Sequence, residues 1–518
     1  MASLLIWSCF ATVIVIYFYN NPMRHGRWFM VRRFINWLPL GMTYAFLVMG
    51  RYNLTVSKTA LGTLMSKEDL GLIFGAGTTT YAFSFLINGP LVDRIGGKKG
   101  IIIAALGASL ANAMLGVLTW LALTNRLHLK LVTAFSLVYS LNMYFQSYGA
   151  MSIIKVKAYW FHVRERGVFG AVFGTLISIG IYFAFDWGSA IVEMTKVNGA
   201  ITGWRHDWAR KIFASAATPV DAVWAVFFIP AAVLIFWALL DWWLIKDTPE
   251  EANFASFDTH DASSGEMHVK LTALDLLKRV FTSRLMLLIA AIEFTSGVLR
   301  NGVYQWYFVF ANEVKQPGAG YFLKNWGLLL CVFGIIGGFA GGLISDRFFQ
   351  SRRGPPVVGL CAFMLLMTVL MAIYLYSSPL MLGCAAVGIS MAVIGVHSLM
   401  SGTAAADFGG RKATATCSGI VDGFAYLGTG LQSFGVGYLT TSGDWWHWLP
   451  HFSTTYLMDR GNWHWWPLFL MPFALLGGVL ALSIWRKLPE ATRRYLTNVE
   501  RREAQPDSPL AATTIEAD

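Results

Sequence analysis

Two arginine residues lie deep inside long apolar segments of this 518-residue chain. Arg51 and Arg300 are each about 14–15 residues into their segments, which places them about 21–22 Å along a helix that rises about 1.5 Å per residue. The hydrocarbon core of a bilayer is ~30 Å thick, so both side chains are predicted to be buried in it. Burying an arginine there costs at least ~2.5–3.5 kcal/mol, which marks both residues as candidates for binding.

A pair of buried guanidinium groups favours a ligand with two negative charges. The planar fork of each arginine matches two oxygens of a phosphate group, and a phosphate monoester carries up to two charges near neutral pH. The alternative is that each arginine pairs with an acid inside the protein. Glu293, two turns before Arg300, and Asp422 are the candidates, and either acid can instead couple transport to protons.

A motif of glycine, acidic and basic residues occurs in both halves of the chain. Asp93 of the first copy follows Arg51 by 42 residues, and Asp346 of the second follows Arg300 by 46. Both copies contain Gly-x-x-x-Asp-Arg, and their polar members are Asp93, Arg94, Lys98, Lys99, Asp346 and Arg347. We expect them to form a conformational switch, the alternative being a plain basic turn. Two parallel repeats around a shared site are typical of the major facilitator superfamily.

The composition is that of a helical membrane protein. Apolar residues make up 56% of the chain and charged residues 13%, and the mean hydropathy is +0.53. These values exclude a soluble enzyme, a disordered protein and a small secreted scaffold. The net charge of +11 is attributed to membrane orientation, not to nucleic-acid binding. No spacing of cysteine or histidine predicts a metal site, and no cofactor is expected.

Long apolar runs predict thirteen membrane spans. The first, 4–19, precedes a basic cluster and is predicted to be an uncleaved anchor with its N-terminus in the periplasm. Twelve more are expected near 35–56, 70–92, 100–123, 131–153, 167–187, 219–245, 284–311, 324–345, 357–376, 380–403, 413–438 and 466–486. With this topology about 26 Lys and Arg lie in cytoplasmic segments and about 11 outside, which agrees with the positive-inside rule.

Five regions follow from these spans. The predicted fold is all-α: two six-helix bundles of the major facilitator type plus one extra N-terminal transmembrane helix. The regions are 1–33 (extra helix and basic loop), 34–245 (first bundle), 246–283 (cytoplasmic central loop), 284–487 (second bundle) and 488–518 (cytoplasmic tail). We expect a monomer in a lipid bilayer.

Several short runs resemble the organophosphate:phosphate antiporters, a family that includes glycerol-3-phosphate, hexose-phosphate and phosphoglycerate transporters. The runs are Arg51-x-Asn53, Glu165-Arg166-Gly167, Asp247-Thr248-Pro249, Arg300-x-Gly302 and the stretch 404–428, and the resemblance covers about 35–490. It implies that Arg51 and Arg300 hold phosphate and that Tyr44 and Tyr81 line the pathway. Tyr304 and His397 are further candidate binding residues, and Glu165 and Arg166 join the switch.

Two cationic positions of the family pattern are absent here. The second span has Phe85 where the glycerol-phosphate branch has lysine, and the fifth has Ile177-Ser178 where bacterial members have histidine and asparagine. His397 is a candidate replacement, although a buried, hydrogen-bonded histidine is the simpler interpretation. The expected function is exchange of an organophosphate for inorganic phosphate across the bacterial inner membrane. The alternatives are a sugar-phosphate receptor of transporter type and a proton-coupled carrier of another organic anion; a membrane enzyme is not expected.

Overall fold

The structure is a computed structural model of the full chain. It describes residues 2–19, 21–162, 165–198, 203–213, 220–255, 278, 281–349, 352–401, 405–441 and 462–486. Most of the predicted central loop and the whole region 488–518 lie outside this range. The described residues form helices and connecting turns and contain no strand.

The first half begins with an extra helix and continues with six long helical segments. The helices are α1 (Ala2–Tyr19), α2 (Arg27–Leu61), α3 (Lys67–Ile95), α4 (Gly97–Leu123), α5 (Leu131–Trp160), α6 (Arg166–Tyr182), α7 (Gly188–Thr195), α8 (Trp204–Phe213) and α9 (Ala225–Leu244). A π-helical turn, Phe183–Trp187, joins α6 to α7. α3 begins with a capping box, in which the Ser66 hydroxyl accepts from Asp69 N–H at 3.0 Å and the Asp69 carboxylate from Ser66 N–H at 2.9 Å.

The second half repeats this arrangement of long helices. They are α10 (Arg284–Tyr304), α11 (Trp306–Val314), α12 (Gly320–Lys324), α13 (Trp326–Phe348), α14 (Gly354–Tyr374), α15 (Pro379–Leu399), α16 (Ala405–Thr441) and α17 (Trp465–Leu482). Each of the thirteen predicted spans overlaps one or two of these helices. Serine side chains cap α10 and α15, where Ser283 and Ser378 accept from the third residue on.

Eight described helical segments are long and apolar enough to cross a membrane, by length and composition. Three other long helices, α2, α5 and α16, have 35, 30 and 37 residues but carry more polar side chains. Among these are Arg51 on α2, Gln146 on α5 and Gln432 on α16, all of which are buried. Polar residues on buried helix faces in a membrane protein indicate a functional interior.

Among the described residues, the most extensive contacts between the two halves are made by two pairs of helices. α3 packs along α16, and α6 packs on α13. A Cβ atom at Gly71 would lie 2.5 Å from the Ser433 carbonyl oxygen and 2.9 Å from Gly437 Cα, so α3 and α16 approach at backbone distance. Small residues permit such contacts between membrane helices. The candidate site lies between the halves, beside this pair.

The basic cluster at the start of α2 is helical, whereas we predicted a loop for the end of region 1–33. Arg33 is 2% exposed, and it forms two 2.9 Å hydrogen bonds to the two carboxylate oxygens of Glu165. Its Nε donates to the Tyr17 hydroxyl of α1 at 3.0 Å. These buried contacts hold Arg33 in one position, which requires an ordered backbone around it. The helix α2 therefore includes this cluster from Arg27 onwards. The same contacts attach α1 to the loop between α5 and α6.

Candidate functional site

Arg51 is held at the centre of the first bundle by polar side chains, none of them acidic. It is 3% exposed, and its Nε donates to Gln146 Oε1 at 3.1 Å. One terminal nitrogen donates to the Tyr81 hydroxyl at 3.1 Å, and the other donates to the Tyr426 hydroxyl of the second half. The Tyr81 ring lies 4.7 Å below the guanidinium carbon. Its positive charge is therefore oriented but not neutralised by these partners.

Tyr426 on α16 brings the two arginines together. The guanidinium carbon of Arg51 lies 5.2 Å from the centre of the Tyr426 ring, and that of Arg300 lies 5.1 Å from the same point. The two carbons are thus at most 10.3 Å apart, the sum of these distances. Among the described residues, no carboxylate oxygen lies within 4.0 Å of either guanidinium group.

A chain of buried amides positions Arg51 from behind. Gln146 donates to Asn142 at 3.1 Å, and Asn112 donates to the same Asn142 oxygen at 3.2 Å. Asn53 donates to Asn112 at 2.9 Å, and Asn142 donates to the Gly50 carbonyl oxygen at 3.0 Å. The chain joins α2, α4 and α5. It fixes the orientation of the guanidinium fork, which is the property that distinguishes arginine from lysine at such a site.

The second half has its own amide cluster beside Arg300. Asn301 donates to Gln305 at 2.9 Å, to Gln432 at 3.0 Å and to the Ser433 hydroxyl at 3.1 Å. This cluster links α10 to α16. Arg300 itself is partly exposed and has the Tyr426 ring as its described contact, so it is less constrained than Arg51.

Tyrosines surround the arginines. Tyr81 is fully buried, and Tyr44, which lies two turns before Arg51 on α2, is 7% exposed. Phe85, at the position of the missing lysine, packs edge-on against Tyr81 with ring centres 4.5 Å apart. The Tyr304 hydroxyl accepts from Ser390 at 3.3 Å, and the centre of its ring lies 6.3 Å from that of Tyr52 on α2. Tyr81 therefore lies beside Arg51, and Tyr304 of α10 lies against Tyr52 of the first half.

The candidate binding residue His397 and the two candidate acids, Glu293 and Asp422, form a separate cluster in the second half. His397 Nδ1 lies 3.0 Å from the Glu293 carboxylate, and Ser401 donates to Asp422. The cluster lies on α10, on α16 and at the end of α15. Glu293 is thus paired with histidine, and neither acid forms an ion pair with Arg300 within the described part of the chain.

The predicted switch residues lie at or beside the ends of helices. Asp93 accepts from Lys155 of α5 at 3.0 Å, and Lys98 donates its backbone N–H to Asp247 at 2.7 Å. Burial raises the pKa of Asp247 against these contacts. The side chains of three further residues, Arg94, Lys99 and Arg347, are exposed. The side chains of Asp346 and Arg166 lie outside the described residues.

Glu165 is a buried acid with several hydrogen-bond partners. Burial disfavours its charge, but hydrogen bonds from His25 and Arg33 outweigh burial and lower the pKa of Glu165 to about 2. The bonds from Arg33 are bidentate, and His162 N–H donates a further bond at 3.1 Å. Glu165 therefore stabilises the loop before α6, and its partners within the described part of the chain belong to the first half.

Contacts near other helix ends, including the start of α3, join the two halves. Lys67 at the start of α3 lies 3.0 Å from Glu313 on α11. Asp186 accepts from the backbone N–H groups of Gly327 and Leu328, at 3.0 and 3.1 Å, and so caps α13. These contacts join the two halves at the helix ends that we predict to be periplasmic.

Sequence reasoning missed several residues at this site. Tyr426 lies in the stretch 404–428, which resembles the antiporter family. As one of 19 tyrosines, however, it carried no signal of its own. Gln146, Asn142 and Asn301 carried a usable signal, because each is a strongly polar side chain in an otherwise apolar span. Within the described residues, no group of three or more His, Cys, Asp or Glu side chains is arranged to hold a metal ion.

Comparison with known proteins identifies the family. The family model described as Major Facilitator Superfamily matches residues 33–433. The glycerol-3-phosphate transporter of Bacillus subtilis (strain 168) is 24% identical over 371 residues, which cover 70% of this chain and 76% of the relative. The membrane sensor protein UhpC of Escherichia coli (strain K12) is 23% identical over 424 residues, which cover 80% of this chain and 86% of the relative.

Two further similarities extend over most of the chain. A probable hexose phosphate transport protein of Chlamydia trachomatis is 22% identical over 479 residues, covering 87% of this chain and 91% of the relative. Among solved structures, the chain is similar to a bacterial homologue of the human lysosomal transporter Spinster in an inward-facing, unoccupied conformation. The TM-score is 0.64 at 15% identity, and the match covers 89% of this chain and 98% of the homologue.

These findings define the class of protein. The chain is a multi-pass membrane transporter, not an enzyme, and it belongs to the Major Facilitator Superfamily. The predicted all-α major facilitator fold is confirmed, and the names of the relatives confirm the resemblance to the organophosphate:phosphate antiporter family.

Proposed function

We propose that the protein exchanges an organophosphate for inorganic phosphate by alternating access in a bacterial inner membrane. The observation that carries this proposal is the pair of guanidinium groups, Arg51 and Arg300, packed on the single ring of Tyr426 without a carboxylate partner among the described residues. A ligand with two charges and several oxygens matches two such groups. The relatives named as glycerol-phosphate and hexose-phosphate transporters support the same class of ligand.

The geometry supports exchange over net transport. Two unit positive charges at the maximum separation of 10.3 Å repel each other by about 1.6 kcal/mol at an effective dielectric constant of about 20. Dehydrating both groups when the halves close adds to this cost. A bound phosphate group offsets both terms. The loaded carrier therefore changes conformation more readily than the empty one, and one anion returns for each anion that enters.

Proteoliposomes provide the test. Vesicles loaded with inorganic phosphate should take up radiolabelled glycerol-3-phosphate or glucose-6-phosphate rapidly, and phosphate-free vesicles should take up little. Strong uptake into phosphate-free vesicles under a proton gradient, unchanged by phosphate inside, would favour the proton-coupled alternative.

The receptor alternative has one specific observation in its favour, since UhpC is named a sensor and covers most of this chain. A receptor of this kind binds the phosphate ester without moving it. Purified protein that binds the ester but gives no exchange in vesicles would support the receptor and refute the exchange proposal.

A further inference from the structure

A histidine and a buried acid form a pair next to the anion site. His397 Nδ1 lies 3.0 Å from Glu293 Oε2. Glu293 is 0% exposed, whereas 27% of the His397 side chain is exposed. The second oxygen of Glu293, Oε1, is buried and has no hydrogen-bond partner among the described residues. The pair thus combines a buried carboxylate that has spare acceptor capacity with an imidazole that is partly exposed.

The pair lies near the proposed anion site. Arg300 follows Glu293 by two turns of α10, about 10 Å along the helix axis. Five other titratable side chains face the pair or its immediate neighbours from the surrounding helices: Arg300 on α10, Asp422 and Tyr426 on α16, Cys361 on α14 and Tyr44 on α2. α17, which also packs on α10, brings no titratable residue in Trp465–Leu482.

We propose that Glu293 and His397 form a proton-binding site and that the carrier binds its anion together with one proton there. With Glu293 ionised, Nδ1–H of His397 donates to Oε2, and the other ring nitrogen, Nε2, which has no hydrogen-bond partner among the described residues, accepts a proton from water. Protonation forms one N–H bond and changes the charge of the pair from −1 to 0. The proton leaves by the same nitrogen.

The charge of the pair acts on the anion through Arg300. When the pair carries −1, it partly neutralises the field of Arg300 and repels a dianion. When the pair is protonated, the full positive charge of Arg300 is available to the ligand. Linkage requires the converse as well, so a bound dianion favours the protonated pair. This inference rests on the proposed function for the identity of the ligand, but the linkage itself can be measured by binding alone.

Two substitutions at the same hydrogen bond should have opposite effects. Glu293→Gln removes the negative charge, so binding should stay tight between about pH 6 and about pH 8. His397→Gln leaves Glu293 ionised without a partner that accepts protons, so binding should stay weak over this range. The parent should bind tightly at the acidic end and at least about fivefold more weakly at the basic end. If the hydrogen bond between Glu293 and His397 only stabilised the fold, both variants would bind the anion more weakly than the parent.

Sulfate is the probe, because it is a tetrahedral dianion that does not titrate in this range, and inorganic phosphate is the second ligand. Binding is measured on the purified full chain in detergent. His206→Gln is the matched control: His206 faces Asp207 at 3.4 Å in a pair that lies at the surface, where Asp207 is 77% exposed. This control should behave like the parent.

A second measurement does not depend on the variants. In weak buffer near neutral pH, adding sulfate to the parent should remove about one proton per bound anion from the medium, which an indicator dye records. No proton uptake, or the same pH dependence in the parent and in Glu293→Gln, would overturn the proposal. Proton-linked binding without exchange in vesicles would refute the proposed function and leave this site in place. Exchange without proton-linked binding would do the reverse.

Discussion

Replacing either buried arginine by lysine tests the anion site most directly. Arg51→Lys keeps the positive charge and removes the planar fork. In the structure that fork makes three hydrogen bonds, to Gln146, Tyr81 and Tyr426. The lysine side chain is shorter and ends in a single ammonium group. That group cannot keep these three hydrogen bonds and also bind two phosphate oxygens. Losing one hydrogen bond to a charged group costs about 1.5–3 kcal/mol, which is roughly tenfold to a hundredfold in rate or affinity.

The structure also predicts a difference between the two substitutions. Arg51 is 3% exposed and anchored by the amide chain through Gln146, whereas Arg300 is partly exposed and lies on one ring. Arg51→Lys should therefore lower thermal stability as well as exchange, and Arg300→Lys should lower exchange with a smaller effect on stability.

The assay is phosphate self-exchange in proteoliposomes, with thermal unfolding in detergent as the stability measurement. Arg126→Lys is the matched control, since Arg126 also packs on an aromatic ring, Trp120, at 5.5 Å but lies in the turn after α4, away from the site. If either Arg51→Lys or Arg300→Lys exchanged phosphate at the parent rate, the two-arginine clamp would be wrong.

Three other predictions concern topology, acid stability and the switch. A tag at residue 2 should be labelled from outside in intact cells; protection until the cells are permeabilised would contradict a periplasmic N-terminus. Glu165→Gln should destabilise the protein by about 3–5 kcal/mol, because it leaves Arg33 buried without its charged partner. Because folding lowers the pKa of Glu165 from 4.5 to about 2, its contribution is present at neutral pH and disappears as the pH falls between those values, which unfolding curves in acid would show. Finally, Asp93→Asn should break the 3.0 Å contact with Lys155 and shift the carrier between its two conformations, measured by accessibility of a cysteine placed on either side; equal accessibility in parent and variant would count against the switch.

The sequence by itself determined the class of protein and the two residues on which the proposed function depends. The cost of burying a charge in hydrocarbon makes Arg51 and Arg300 stand out in any membrane span, and this signal needs no knowledge of the neighbours. The period and length of the apolar runs likewise predict a helical bundle, because a bilayer permits few other structures. The repeated Gly-x-x-x-Asp-Arg motif then relates the two halves.

Only the tertiary structure decided which side chains complete the site. Tyr426 is 126 residues from Arg300 and 375 from Arg51 along the chain, so no local pattern links the three. Glu293 was a candidate partner for Arg300 on the same helix, but α15 places His397 next to it instead. The sequence predicted a loop for the basic cluster that ends at Arg33, but the structure has a helix there. The contact that holds Arg33 comes from Glu165, 132 residues away, so no local pattern could reveal it. Local sequence reports the cost of burying a polar group, and the packing of distant helices decides which partner offsets that cost.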